Sequence, residues 1–343
     1  MHLKRNYVRH INCFIAQFQV TLAGEVDPEL LWYGESDEIN TNHLSLSYDL
    51  TNSDFCGPCF GIYFLSDTFG GENCYRRLWN PALHEMKNLP PMITKPNISS
   101  NMKHYHKKSY GFGFDPVTED YKVVAIMGYT NTYEYSLMDY PLSIMIYSLR
   151  ADSWKYSGDI SKPYYIPRVN SCHAFVNRNF YWLGSYEKRA DKHDVVIAID
   201  LATEECQEIG LPDICIKGEI SYKTYSECLM VYNGSIALVS LYKEECEFDI
   251  WTLKGTTWSK ELTVELECWV SKPLGHVDNN FVLFDGSRCL ILYDPNTEET
   301  WELEGVYNDG SCNIVSAYME SLVPLNDRDF WISQGDKRPL LMQ

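Results

Sequence analysis

One theme recurs along the 343 residues: an apolar strand, a short polar break, then a second strand opening on a ring or another large apolar side chain. Leu78-Trp79-Asn80-Pro81-Ala82 runs on to Met86 and Leu89-Pro90-Pro91, and Met145-Ile146-Tyr147-Ser148-Leu149 runs on to Asp152-Ser153-Trp154. Val196-Ile197-Ala198-Ile199-Asp200 leads to Cys206 and Leu211-Pro212, Asp249-Ile250-Trp251-Thr252-Leu253 to Trp258, and Leu290-Ile291-Leu292-Tyr293-Asp294-Pro295 to Trp301. Second hairpins lie between these copies at Cys172–Leu183, Leu229–Val239 and Phe281–Leu292. Asn233-Gly234 and Asp285-Gly286, each between apolar runs, are strong short-range hairpin signals. Two hairpins per unit give four strands. Units of that size recurring at roughly 40 to 50 residues specify a kelch-like β-propeller. The fold expected is all-β, with about six four-stranded blades. The spacing is uneven, because the reference position moves through 79, 147, 199, 251 and 293.

The long first gap holds the clearest hairpin, Ser109–Met127. Aromatic and β-branched residues flank Asp115-Pro116-Val117-Thr118-Glu119-Asp120, where proline fixes φ and Asp and Thr can bond the turn backbone. Gly111 and Gly113 stand inside the first strand, and their missing side chains let another backbone or a large ring approach closely. A loop is expected over 95–108, and a strand at Leu44-x-Leu46-x-Tyr48 from its period of two. Aromatics at 14%, with 25 Tyr and 9 Trp, suit half-buried pleated surfaces. Helical periodicity is scarce throughout.

Gly111-Phe112-Gly113-Phe114-Asp115-Pro116 followed by Asp120-Tyr121-Lys122-Val123-Val124 resembles the signature of the F-box-associated domain of plant F-box proteins. Gly57-Pro58-Cys59-Phe60-Gly61-Ile62 resembles the segment opening that family's first firm blade, and Tyr318–Leu325 its closing strand. The resemblance implies three segments: 1–22, the linker after an F-box that is missing from the chain; 23–326, the propeller; and 327–343, a frayed tail. Within residues 1–22 a helix end followed by a strand is expected. His2-Leu3-Lys4-Arg5-Asn6, Ile146–Arg150 before Asp152-Ser153-Trp154-Lys155, and Glu320-Ser321-Leu322-Val323 resemble the S-locus F-box group.

Formal net charge is −18. A nucleic-acid binder needs a basic footprint, so this balance excludes that class and favours a basic protein partner, or serves solubility alone. No secretory signal and no apolar run of membrane-spanning length is present. The 12 cysteines are scattered through a chain too long for a small disulfide scaffold, which suits a reducing cytoplasmic or nuclear setting, the cytoplasm being the expectation. Asn97-Ile98-Ser99 and Asn233-Gly234-Ser235 match the glycosylation pattern by chance in that setting.

Cys56-Gly57-Pro58-Cys59 copies the dithiol spacing of thioredoxins, but the residues after it, Phe60–Leu65, are strand-like, and no helix follows to lower a thiol pKa. The pair reads as ordinary thiols before a blade strand. No second Cys-x-x-Cys completes a zinc site, and His104-Tyr105-His106 reads as solvated loop. Serine-triad order, a nucleophile elbow and a phosphate-binding glycine loop are absent. Catalytic, cofactor-binding and metal sites are therefore expected to be none. Glu204-Glu205, Glu244-Glu245 and Glu298-Glu299 fall at turns or loops, either as solvated tips or as an acidic rim on one propeller face. Trp79, Tyr147, Trp154, Trp251, Trp258, Tyr293 and Trp301 read as core fixtures, because base stacking would need a basic groove.

The resemblance implies the substrate-recognition part of an SCF-type ubiquitin ligase receptor. The S-locus likeness implies basic S-locus ribonucleases as targets. A Skp-type adaptor would bind only through an F-box. Two rivals stay open: a stand-alone or degenerate interaction propeller, and a propeller hydrolase or oxidase with converging carboxylates, Tyr or His.

Overall fold

The computed structural model describes residues 12–19, 29–33, 39–43, 53–67, 75–92, 104–130, 142–162, 164–166, 173–186, 195–212, 225–242, 246–266, 270–277, 280–285, 290–302, 311–317 and 320–326. Among them every regular element is a strand. The first unit, Met1–Asn52 with Cys268–Met319, holds β1 (Asn12–Gln19), β2 (Glu29–Tyr33), β3 (Ile39–His43), β20 (Val270–Val277), β21 (Asn280–Asp285), β22 (Leu290–Asp294), β23 (Glu299–Glu302) and β24 (Ser311–Ala317). The second unit, Ser53–Glu267 with Glu320–Gln343, holds sixteen. Sheet I is β4 (Ser53–Cys59), β5 (Ile62–Asp67), β6 (Arg76–Asn80) and β7 (Glu85–Asn88). Sheet II is β8 (His104–Asp115), β9 (Asp120–Thr130), β10 (Ser143–Ser148) and β11 (Ser153–Asp159). Sheet III is β12 (His173–Val176), β13 (Asn179–Gly184), β14 (Val195–Asp200) and β15 (Cys206–Gly210). Sheet IV is β16 (Tyr225–Tyr232), β17 (Ser235–Tyr242), β18 (Glu247–Lys254) and β19 (Thr257–Glu265).

The first unit has one sheet in simple order, β20 to β23, and one that joins the two ends of the chain, β24-β1-β2-β3. Phe14 pairs with Ala317 and Gln19 with Ser311. Tying a late strand to an early one covers β1 on both sides and leaves β24 at the sheet's edge. The closing strand is thus Ser311–Ala317, earlier than the expected Tyr318–Leu325. Residues 320–326 instead form an irregular strap along the β6–β7 hairpin. Asn80 Nδ2 donates to the Ser321 and Val323 carbonyls at 3.0 and 2.9 Å, and the Leu325 amide donates to Glu85 Oε2 at 2.6 Å. Pro324, which has no N–H for a ladder, lies between these bonds.

In the second unit the middle strands are apolar at consecutive positions because both sheet faces are covered. Val123 and Ala125 of β9 pack toward sheet I with Ile62, Phe64 and Leu78, while Val124 and Ile126 pack toward sheet III with Phe180, Trp182 and Ile197. Leu183 and Val196 continue the stack into sheet IV with Leu229, Ile236 and Leu238. A side chain the size of Leu or Phe gains about 1.5–3 kcal/mol from such burial. The strap's Leu325 joins the core between sheets I and II.

Three further expectations differ. His104–Lys108, read as loop, belong to β8, whose pairing with β9 extends to His104–Thr130 through a bulge between Tyr105 and Lys107. This lengthening of sheet II accounts for the long first gap. Leu44-x-Leu46-x-Tyr48 lies outside the described residues, and the strand before it is β3. Asn12–Gln19 form β1, while the helix end expected before them and Asn97-Ile98-Ser99 are outside the described residues.

Candidate protein-recognition surface

Antiparallel four-stranded sheets have two unlike ends. In sheets I to IV the connections from first to second strand and from third to fourth hold two to five residues. The connections at the other end include the stretches from Asn88 to His104, Thr130 to Ser143, Asp159 to His173, Gly184 to Val195 and Gly210 to Tyr225.

The turn end is built by one repeated device. Asn80, Asp115, Ser148, Asp200 and Asp294 each accept a backbone N–H from two or three residues ahead: from Ala82 at 3.1 Å, Val117 at 3.0 Å, Ala151 at 3.0 Å, Ala202 at 2.5 Å and Asn296 at 2.7 Å. Four residues after each stands a non-glycine residue of positive φ: His84, Glu119, Asp152, Glu204 and Glu298, at 51°, 52°, 49°, 60° and 60°. The side-chain acceptor fixes the start of the turn, and the left-handed residue reverses the chain into the next strand. Glu204 and Glu298 thus serve the turn itself. Asn233 and Gly234 have φ of 48° and 71°, as a two-residue hairpin turn requires. Asn177 and Arg178 match them at 51° and 67°.

Side chains then knit the turns together. Asp115, 1% exposed, accepts from Lys122 Nζ at 2.8 Å within its hairpin and from Arg178 Nε of sheet III at 3.2 Å. Burial pushes its carboxyl up, but Lys122, Thr118 and the Val117 amide hold it below the ordinary value. Lys87 reaches Asp152 at 3.3 Å, and Glu204 takes Lys155 at 2.7 Å and Ser157 at 2.6 Å. Gly111 and Gly113 serve this seam. A Cβ on Gly111 would lie 2.5 Å from the Phe180 ring, and one on Gly113 2.5 Å from that of Phe175. The two glycines admit rings from sheet III, which is the close approach anticipated from the sequence.

The aromatic positions are structural. Trp79, Tyr147, Trp154 and Tyr293 are buried, Trp251 and Trp258 half-buried, and the Trp301 side chain lies outside the description. Trp154 Nε1 donates to the Pro90 carbonyl at 3.0 Å and Trp258 Nε1 to that of Gly210 at 2.6 Å. In both cases the fourth strand's indole bonds the segment leaving the preceding sheet.

Cys56 and Cys59 close β4, with a bulge between them where it pairs with β5. Burial drives the Cys56 thiol far up, helped by Asp54, and pushes Cys59 up to about 12. Neither is a thiolate at neutral pH, the opposite of an activated dithiol. His104 and His106 belong to β8. Among the described residues no group of three or more His, Cys, Asp and Glu gathers as metal ligands, and no helix is long and apolar enough to cross a membrane. Glu204-Glu205 and Glu298-Glu299 sit at third-to-fourth-strand turns. Glu244-Glu245 lie outside the described residues. Glu204 is already ion-paired.

At the long-connection end one polar cluster ties the connection between sheets II and III to sheet III. Glu208 Oε2 accepts Lys162 Nζ at 2.7 Å and also the Tyr164 hydroxyl, while Oε1 accepts the Tyr186 hydroxyl at 2.6 Å. Lys162 Nζ stands 5.5 Å from the Tyr186 ring centroid, and the Tyr164 and Tyr186 rings are 5.7 Å apart. Burial opposes ionisation of Glu208, but Lys162 and the two hydroxyls bring its pKa down to about 2. Tyr186 is 51% exposed. At the same end of sheet I, Tyr75 is 61% exposed, with the Arg77 guanidinium 4.8 Å from its ring centroid. Nothing in the sequence marked Tyr75, Lys162, Tyr186 or Glu208, because the last three stand in separate segments that meet only once the chain is folded.

The F-box associated beta propeller domain family matches residues 33–300. The chain belongs to this family. Its sheets are propeller blades, and six are present among the described residues, the number expected. Relatives include F-box protein CPR1 of Arabidopsis thaliana, 24% identical over 55% of this chain and 47% of that protein. F-box/kelch-repeat protein At3g23880 of the same plant is 22% identical over 79% of this chain and 69% of that protein. Putative F-box protein At4g17780 is 25% identical over 63% and 53%. The chain spans about half the length of CPR1 and At4g17780.

Proposed function

We propose that this propeller is the target-binding module of an SCF-type ubiquitin ligase receptor and that it holds its target by the long-connection end of the blades. It performs recognition without catalysis, in the cytosol. Membership of the F-box associated family is the observation that carries this reading. Loops on a rigid scaffold are where binding residues concentrate, and the two exposed tyrosines, each beside a cation, are at that end. Tyr and Arg are enriched among interface residues that matter most. A Skp-type adaptor would be engaged through an F-box on the same polypeptide, outside this domain.

The target is a basic protein, and S-locus ribonucleases are the class we favour, in keeping with the S-locus F-box resemblance of the first and last segments. Charge supports this. Met1–Asn52 with Cys268–Met319 carry 15 carboxylates against 5 Lys and Arg, a formal net of −10, while the other unit carries 32 against 24, a net of −8. The smaller unit thus concentrates negative potential, which speeds encounter with cationic partners. Capture of a basic style ribonuclease by the purified chain, weakening as salt is raised, is the expected result. No capture at low salt would defeat the ribonuclease assignment.

A second reading has the target at the turn end. It is favoured by Phe60, 47% exposed at a φ of 45° and packed edge-on against Phe114, and by Val117, 70% exposed. Phe60→Ser with Val117→Ser would abolish capture on that reading and leave it intact on the first.

A further inference from the structure

We propose that Tyr186 and Glu208 form a binding site for a cationic side chain of the target, arginine above all, and that the free chain closes this site with its own Lys162. The inference deepens the recognition reading above and rests on it.

The two fixed parts come first. Glu208 is on β15, the outer strand of sheet III, and its carboxylate is oriented by hydroxyls on both oxygens, from Tyr164 and Tyr186. Tyr164 is 3% exposed and anchored in the core between sheets II and III. Tyr186 presents a half-exposed ring whose hydroxyl is bonded to the same carboxylate. An oriented carboxylate beside an aromatic ring is a geometry that receives a guanidinium. The ring offers its quadrupole, and the carboxylate offers charge-assisted hydrogen bonds.

The third part, the cation, is the replaceable one. Lys162 occupies the position such a guest would take, with its ammonium 2.7 Å from Glu208 and 5.5 Å from the Tyr186 ring centroid. Its side chain is 52% exposed. An exposed lysine–carboxylate pair holds weakly, commonly under about 1 kcal/mol. Arginine can displace it, because a planar guanidinium both stacks on a ring and bonds a carboxylate through two N–H groups, which an ammonium cannot do. The displaced ammonium returns to water. The exchange replaces one cation with another at Glu208, so no carboxylate is left buried and unpaired at any stage.

The test uses the full chain and a short probe, an acetylated hexapeptide of alternating arginine and glycine, with a citrulline-for-arginine counterpart as the uncharged control. Affinities are measured by titration calorimetry at low salt. Lys162→Ala opens the site and should bind the arginine peptide about fivefold more tightly than the unaltered chain, with no gain for the citrulline peptide. Adding Tyr186→Ala or Glu208→Gln to Lys162→Ala should remove the gain. Glu208→Gln keeps the side chain's length and one acceptor oxygen, while its amide NH2 can donate to the other hydroxyl's oxygen, and circular dichroism checks that the fold persists. The absence of a gain on Lys162→Ala would overturn the proposal. So would a gain that survives Tyr186→Ala, because it would then reflect only the more negative net charge. An arginine-dependent gain in a chain that fails to capture the basic ribonuclease would leave this site standing and defeat only that choice of target.

Discussion

The two ends of sheets I to IV differ in what their side chains are for. At the turn end nearly every polar side chain described is spent on the protein itself. Asp115 serves its own turn, Lys122 and Arg178, and Glu204 serves Lys155 and Ser157. At the long-connection end the Lys162–Tyr186–Glu208 cluster ties a connection to sheet III yet keeps a half-exposed aromatic ring and a half-exposed ammonium. The first arrangement holds blades together. The second, on blades already held, can exchange a partner. On the proposed reading, binding surface is tolerable at one end because the other end and the apolar seams carry the stability.

Substitutions can test that division directly. The largest effect on folding belongs to Asp115→Ala. It leaves Lys122 and Arg178 without their shared carboxylate and the turn without its acceptor, and should lower stability by about 3 kcal/mol in urea unfolding. Because the folded carboxyl titrates below its unfolded value, its contribution is present above the ordinary carboxylate range and is lost as pH falls through and below it. Asp115→Asn should therefore flatten the acid limb of the stability profile. A profile identical to that of the unaltered chain would break the argument.

Gly113→Ala comes next, at about 2 kcal/mol, because the added methyl must displace the Phe175 ring. A smaller loss is expected for Trp258→Phe, about 1 kcal/mol, since the Gly210 carbonyl loses its indole donor while a smaller aromatic ring still covers the half-buried site. Trp154→Phe should match it if the two indoles are equivalent staples, and a marked difference between them would show that they are not. Tyr186→Ala should be the mildest, under about 0.5 kcal/mol in thermal unfolding, as befits an exposed residue at the binding end. A loss as large as that of Gly113→Ala would move Tyr186 from recognition to scaffold.

Much of the scaffold was legible in the residues. Asp115-Pro116 and Asn233-Gly234 announce their turns by chemistry that acts locally, and Gly111 and Gly113 announce a close approach without naming Phe180 and Phe175 as the rings. The left-handed residues were not legible, because Glu119, Glu204 and Glu298 occupy conformations that sequence reasoning reserves for Gly or Asn. The closing strand was assigned a few residues late, because the polar bonds that hold 320–326 come from Asn80 and Glu85, some 240 positions earlier. The proposed binding cluster was hidden for a related reason. Lys162, Tyr186 and Glu208 are unremarkable in three separate segments and acquire meaning only when the connection after β11 folds against sheet III.

The division between a self-occupied end and an exchangeable one is tested most directly by one affinity comparison with the basic style ribonuclease. The chain carrying Tyr186→Ala with Glu208→Gln should bind at least about fivefold more weakly than the unaltered chain. The chain carrying Phe60→Ser with Val117→Ser should bind equally well. Intact binding by the first pair and lost binding by the second would contradict the account.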